Sequence, residues 1–276
     1  NAELARALSS KVGLEPGFSI QKMLLDAKIK EQYHDLIKEL LVHQSKIRSL
    51  PAITSTMKRH HNSLMKNLPE GIEDVYYYLP EKNRSFVVLA MAHRSASGTP
   101  VDKYIEGPAD LAKLNLGSNS AIIILDDMAG TGGTMKTAAM KAKETGYEGY
   151  IMLAPLMGTE QAKDLFEELV LAPGGKIRYH PLEEISSLLK TSFYNGLEPA
   201  HRKMIEDAVG NRGIGENALS VAFPYMSPNN NNELFGWLFA KYFILNRRDP
   251  LLETIKTYKA VKTYGYHPPE IVIKKE

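Results

Sequence analysis

In the first third of the chain, apolar residues recur at spacings of three and four. Met23, Leu24, Tyr33, Leu36, Ile37, Leu40 and Leu41 follow Ile20 on one stripe, which predicts a one-faced helix. Pro51 is expected to end or break it, and a second, more polar helix is expected to run to about Lys66. After Pro69 the texture changes. Residues 86–92, 121–125 and 150–154 are short apolar runs without polar alternation, the pattern of strands buried on both faces. The first stops at His93-Arg94, the second at Asp126-Asp127, and Pro155 is expected to close the third. Stretches of helical period lie between and after them, at 109–116, 134–145 and 159–171. Strand, loop and helix in repetition predict an α/β fold: three layers, α/β/α, with a mainly parallel sheet, preceded by a helical N-terminal region. Residues 177–180 and 219–223 are weaker strand candidates, and Tyr76-Tyr77-Tyr78 reads as a buried strand edge. The organisation expected is a helical region over 1–68, an α/β domain over 69–240 and a basic extension over 241–276.

Composition narrows the function classes more than it names one. With 43% hydrophobic and 24% charged residues over 276 positions, global disorder is excluded. The 34 Lys and Arg against 32 Asp and Glu leave a net charge of +2, too small to argue for nucleic acid. The absence of cysteine excludes a disulfide scaffold, a zinc–thiolate site and a thiol nucleophile. No apolar run approaches the roughly 18 to 20 residues that span a bilayer, and the first residues lack the charged-then-apolar order of a signal peptide. A soluble, cytoplasmic protein without a membrane partner is expected. The basic stretch over 19–66 reads first as a solvated helix face and second as a partner or nucleic-acid contact. His60-His61 lies near no acidic or cysteine cluster at zinc spacing, so surface histidines are the expectation. Residues 247–276 carry seven Lys or Arg and four acids, with Tyr258, Tyr264 and Tyr266 interleaved. That mixture suits an ordinary solvated tail or docked helix before it suits single-stranded nucleic acid.

The most informative segment is the apolar run 122–125 followed by Asp126-Asp127-Met128-Ala129-Gly130-Thr131-Gly132-Gly133-Thr134. In open α/β sheets ligands bind at the carboxyl ends of strands. A loop of small residues that opens a helix turns backbone N–H groups, and the positive end of the helix dipole, toward an anion. Thr131 and Thr134 add hydroxyl donors. Two adjacent acids cannot hold phosphate, so sugar hydroxyls or a hydrated Mg²⁺ are their natural partners. Other phosphate loops fail on the letters. A Walker loop needs Lys after its last Gly, where Thr134 stands, and a dinucleotide fingerprint starting at Gly130 needs Gly where Met135 stands.

This segment resembles the phosphoribosyl pyrophosphate (PRPP) loop of the type I phosphoribosyltransferases, with every position of the pattern filled, and the likeness extends over roughly 75–225. The resemblance implies that Asp126 and Asp127 hold the ribose 2′ and 3′ hydroxyls, with Mg²⁺ between ribose and pyrophosphate oxygens. Gly130, Thr131, Gly132, Gly133 and Thr134 would hold the 5′-phosphate. It also implies a short pyrophosphate loop after an earlier strand, a place that Arg94, Ser95, Ser97 and Gly98 suit. A third element, running from Gly213 to Pro228-Asn229-Asn230 with Trp237 beyond it, is similar to the closing strand and Asn pair of phosphoribosyltransferase-like effectors in bacterial conflict systems, including retron-associated ones. Asn229 and Asn230 have amides able to read a base or ribose edge, and a turn is the plainer reading.

The departures from the wider family bear on the acceptor. Only 27 residues separate Gly98 from Asp126, which leaves little room for a long catalytic loop, and no base-recognition hood is legible. The function implied is a phosphoribosyltransferase-like effector of an antiphage or toxin–antitoxin defence system, transferring or cleaving at ribose C1. The alternatives are a sensing module that binds PRPP or a nucleotide without turnover, and a structural subunit of a defence complex with a reverse transcriptase and its RNA or DNA.

Overall fold

The structure is a computed structural model that describes residues 21, 24–25, 31–39, 46–47, 50–80, 85–170, 176–186, 190–203 and 221–222. Among the described residues the α-helices and strands include, in chain order, helix α1 (His34–Glu39), strand β1 (Lys46–Ile47), α2 (Leu50–Lys66), β2 (Asp74–Leu79), α3 (Ser85–Ser97) and β3 (Tyr104–Glu106). Then come α4 (Pro108–Leu114), β4 (Ser120–Ala129), α5 (Gly133–Glu144), β5 (Tyr150–Thr159) and α6 (Glu160–Val170). β6 (Ile177–Tyr179), β7 (Glu183–Ile185), α7 (Ser192–Asn195) and β8 (Val221–Ala222) complete the series. The chain divides into two compact units. One takes the described residues from Pro51 to Ile185, and the other takes those before and after.

The larger unit is the three-layer α/β fold. Its sheet runs β3-β2-β4-β5-β6, with β7 also on β5, and every pairing is parallel. β4 and β5 form the centre, each ten residues long and buried at every position. That burial is why their sequences carry no polar alternation. Tyr78, Ile122, Ile124, Ile151 and Leu153 pack with Leu111 of α4, Met135 and Ala138 of α5, and Ala162 and Phe166 of α6. On the other face Tyr77 meets His61 of α2 and His93 of α3. No described helix is long and apolar enough to cross a membrane.

Three expectations from the apolar pattern are corrected. Residues 86–92 belong to helix α3, not to a strand. Phe86, Leu89, Ala90 and His93, at spacings of three and four, are buried, as is Ala92. β2 and β3 are parallel neighbours, so the chain between them must cross back over the sheet. The strand is the tyrosine run, in which Tyr77 and Tyr78 are buried. Pro51 opens helix α2 rather than ending one, in the first turn where its missing N–H costs nothing. Pro155 lies inside β5. Its carbonyl accepts from Leu182 N at 3.1 Å, so its N side faces the link between β6 and β7, and pairing with β4 is undisturbed.

In the smaller unit β1 and β8 form a two-stranded parallel sheet, Lys46 opposite Val221. Within the expected strand at 219–223, the described residues Val221 and Ala222 pair with β1, outside the main sheet. In the same unit Thr191 caps α7, its side chain accepting from Tyr194 N at 3.2 Å.

Candidate functional site

The strand order places a topological switch between β2 and β4. The chain leaves β2 toward β3 on one side and leaves β4 toward β5 on the other, which opens a crevice beyond the carboxyl ends of the two strands. A cavity of about 280 Å³ lies there. Pro80 and Phe86 bound it from the β2 side, and Gly133, Thr134, Thr137 and Lys141 from α5. The Gly/Thr segment singled out in the sequence thus meets the crevice that the topology creates.

β4 runs past the acidic pair to Ala129, in unbroken register with β5: Asp126 stands opposite Pro155, and Met128 opposite Met157. The apolar pattern predicts a strand that ends at the acids, and the structure carries it on to Ala129. Asp126 and Asp127 are its seventh and eighth residues, 3% and 4% exposed, and strand alternation turns them to opposite faces. Asp126 also accepts from the backbone N–H of Asp127 at 2.9 Å. Neither acid is among the residues that line the cavity.

The loop after β4 is three residues long, Gly130 to Gly132. Gly132 has φ +79°, the left-handed region, and no side chain caps α5 there. The first intrahelical bond runs from Lys136 N to Gly132 O at 2.9 Å, which leaves the N–H groups of Gly133, Thr134 and Met135 outside the helical ladder. Gly133 and Thr134 are exposed, whereas Gly130 and Gly132 are buried. Gly132 is pressed against α6: a Cβ there would come within 2.9 Å of Phe166 and 3.0 Å of Leu165.

One residue that the sequence reading missed fixes this loop from outside. Thr159 is buried at the end of β5, where its hydroxyl donates to the carbonyl of Gly130 and accepts from Ala162 N at 3.2 Å. It ties the loop to the neighbouring strand and caps α6 in the same stroke. A Thr just before an acidic first turn was the available signal. Thr159→Val should lower stability by about 1–3 kcal/mol in urea unfolding, and Thr159→Ser should recover most of it.

Arg94, Ser95 and Ser97 occupy the last turn of α3, with Gly98 just beyond, not a loop at the end of a strand. The crossover geometry explains why they miss the site. α3 runs back toward the sheet's N-terminal edge, and Lys103 in the same connection bonds Asp74, the first residue of β2, at 2.9 Å. The acids and the Gly/Thr loop lie at the opposite edge. Gly98 has φ +72°, and its N–H closes the helix by donating to Arg94 O at 3.0 Å. Asn229, Asn230 and Trp237 lie outside the described residues, as does all of 241–276.

The expectation of surface histidines at His60-His61 is corrected. His60 is fully buried and His61 half-buried, because α2 packs that side against the sheet. Among the described residues no group of three or more His, Cys, Asp or Glu is arranged to hold a metal ion. Comparison with known proteins finds no protein-family model that matches the chain and no curated protein that does.

Proposed function

We propose that this chain binds a phosphorylated ribose, PRPP or a related nucleotide, at the carboxyl end of β4, as a phosphoribosyltransferase-like effector. The observation that carries the reading is the coincidence of the Gly/Thr loop and the N-terminus of α5 with the switch-point crevice, directly after the strand that carries the acidic pair. The three N–H groups outside the ladder and the hydroxyls of Thr131 and Thr134 suit a terminal phosphate. Asp126 and Asp127, acceptors only when ionised, suit ribose hydroxyls.

The donor set also fits Mg²⁺ in one particular way. Two carboxylates without a third ligand do not form a cage, but Mg²⁺ commonly arrives with substrate phosphates, keeps its waters and touches one or two acids. Asp126 or Asp127, which face opposite sides of β4, would be that acid. When bound, the ion would neutralise charge on the pyrophosphate. The chain's own share is to seat the sugar and fix its orientation, so that breaking the C1–oxygen bond develops cationic character beside two anionic side chains. We extend the proposal to a bacterial defence role of the retron type, on the resemblance of residues 213–230 alone. A sensing module without turnover is the second reading, favoured by the absence of the acids from the cavity lining.

Incubation of the purified chain with Mg²⁺ and a panel of PRPP and nucleotides, followed by calorimetry and mass spectrometry, tests both readings. Binding of one donor with its consumption is expected. Binding without consumption would select the sensing module, and no binding by folded protein would overturn the proposal.

A further inference from the structure

We propose that two histidine pairs, His60 of α2 with His180 and His61 of α2 with His93, form an acid-sensitive latch that holds α2 on the sheet at neutral pH and releases it on protonation. The inference is independent of any ligand at the β4 loop. Four of the chain's eight histidines meet around adjacent positions of one helix.

His61 Nδ1 lies 3.1 Å from His93 Nε2, a contact with room for a single bridging proton. His61 Nδ1 also lies 3.0 Å from the hydroxyl of Tyr77, and His93 Nδ1 lies 2.8 Å from that of Tyr104. Whichever ring donates, the other must accept, and the network closes only while at least one of the pair is neutral. One residue earlier, the His60 ring stacks near the His180 ring with centroids 6.5 Å apart. His60 Nε2 faces the His180 carbonyl at 3.5 Å, and His180 Nε2 meets Ser63 Oγ at 2.9 Å. Through these contacts α2 grips β2 at Tyr77, β3 at Tyr104 by way of His93, α3 at His93, and the β6–β7 link at His180.

Among the described residues the surroundings offer a positive charge no counter-ion. From α2 come His60, His61 and Ser63; from α3, His93 and Ser97; from the strands, Tyr77 and Tyr104; and from the β6–β7 link, His180. Arg94 of α3 acts on Tyr104 and is itself cationic. Among the described residues no Asp or Glu is a partner of the four rings. Burial of the fully enclosed His60 and His93 lowers their pKa values to about 4 and about 3, and it lowers those of His61 and His180 as well. The sign follows. The released state takes up protons near the ordinary value of 6.5, and the closed state does not until much lower pH. Closure is therefore fully favoured above pH 6.5 and is lost progressively as pH falls toward 4.

Hydrogen exchange across residues 50–66 of the whole chain, with NMR titration of the imidazole carbons, tests the latch. Between pH 8 and 5 the His60 and His93 resonances should stay in the neutral form. Below pH 6.5 opening of α2, corrected for intrinsic exchange, should rise up to tenfold per pH unit for each histidine, while β4 and β5 remain protected. His93→Gln should remove its share of that slope. Either ring titrating near 6.5 in the folded chain, opening of α2 that ignores pH, or a slope unchanged in His93→Gln would overturn the proposal. The wild-type titration decides the matter if the variant fails to fold.

Discussion

Replacing Asp126 and Asp127 together with Asn should abolish donor binding while leaving the chain folded. Each carboxylate that accepts from a ribose hydroxyl contributes about 1.5–3 kcal/mol as a charged acceptor, so each single change should weaken binding about tenfold to 150-fold. The double change should take binding beyond detection by calorimetry. The singles are separable because alternation along β4 sets the acids on opposite faces of the strand. If the sugar is gripped from one face only, one variant will carry nearly the whole loss. Stability is a separate readout. Both side chains are less than 5% exposed, and ionised groups at such burial are costly to keep unless well paired. Asn has nearly the same shape without the charge, so the chain should stay folded, and the urea midpoint measures how far pairing offsets that cost. A residue kept for packing would show the reverse, lower stability with untouched binding, and that result would sink the site assignment.

The β4 loop was legible in the sequence because several independent signals agree there: an apolar run, two acids, small residues and then helical period. Its extent was less so. Nothing in the letters says that β4 continues through Asp126-Asp127 to Ala129, because that depends on pairing with Met157 and Gly158 of β5. Residues 86–92 misled for a physical reason. A run apolar at every position satisfies period 2 and period 3.6 alike, so only the need for a crossover between parallel strands decides it. The error carried Arg94, Ser95 and Ser97 with it, since their assignment rested on following a strand. His60-His61 failed differently. Polar pairs on a helix look solvated until the partners are known, and His93 and His180 lie 33 and 120 residues from His60. Thr159 was invisible as a site residue because its hydroxyl acts on Gly130, 29 residues back.

Two adjacent glycines provide the second large effect, with opposite signs. Gly132→Val should destabilise the chain by about 2–5 kcal/mol in urea unfolding. A β-branched residue at φ +79° is strained by sterics between Cβ and its own backbone, and that Cβ would also press within 2.9 Å of Phe166 in the core. Gly133→Ala should do the contrary. Gly133 opens α5, and a Cβ there meets only Thr131 Oγ1 at 3.7 Å, an ordinary contact. Alanine narrows the unfolded ensemble and favours the helix, so stability should rise by about 0.4–1 kcal/mol. Binding distinguishes the two roles. If a phosphate approaches the backbone of α5 closely, the added methyl at Gly133 stands in its path, and affinity should fall at least tenfold in a variant that is more stable than wild type. If Gly133→Ala instead gains stability and keeps full affinity, no ligand comes close to this N-terminus, and the cradle holds no phosphate.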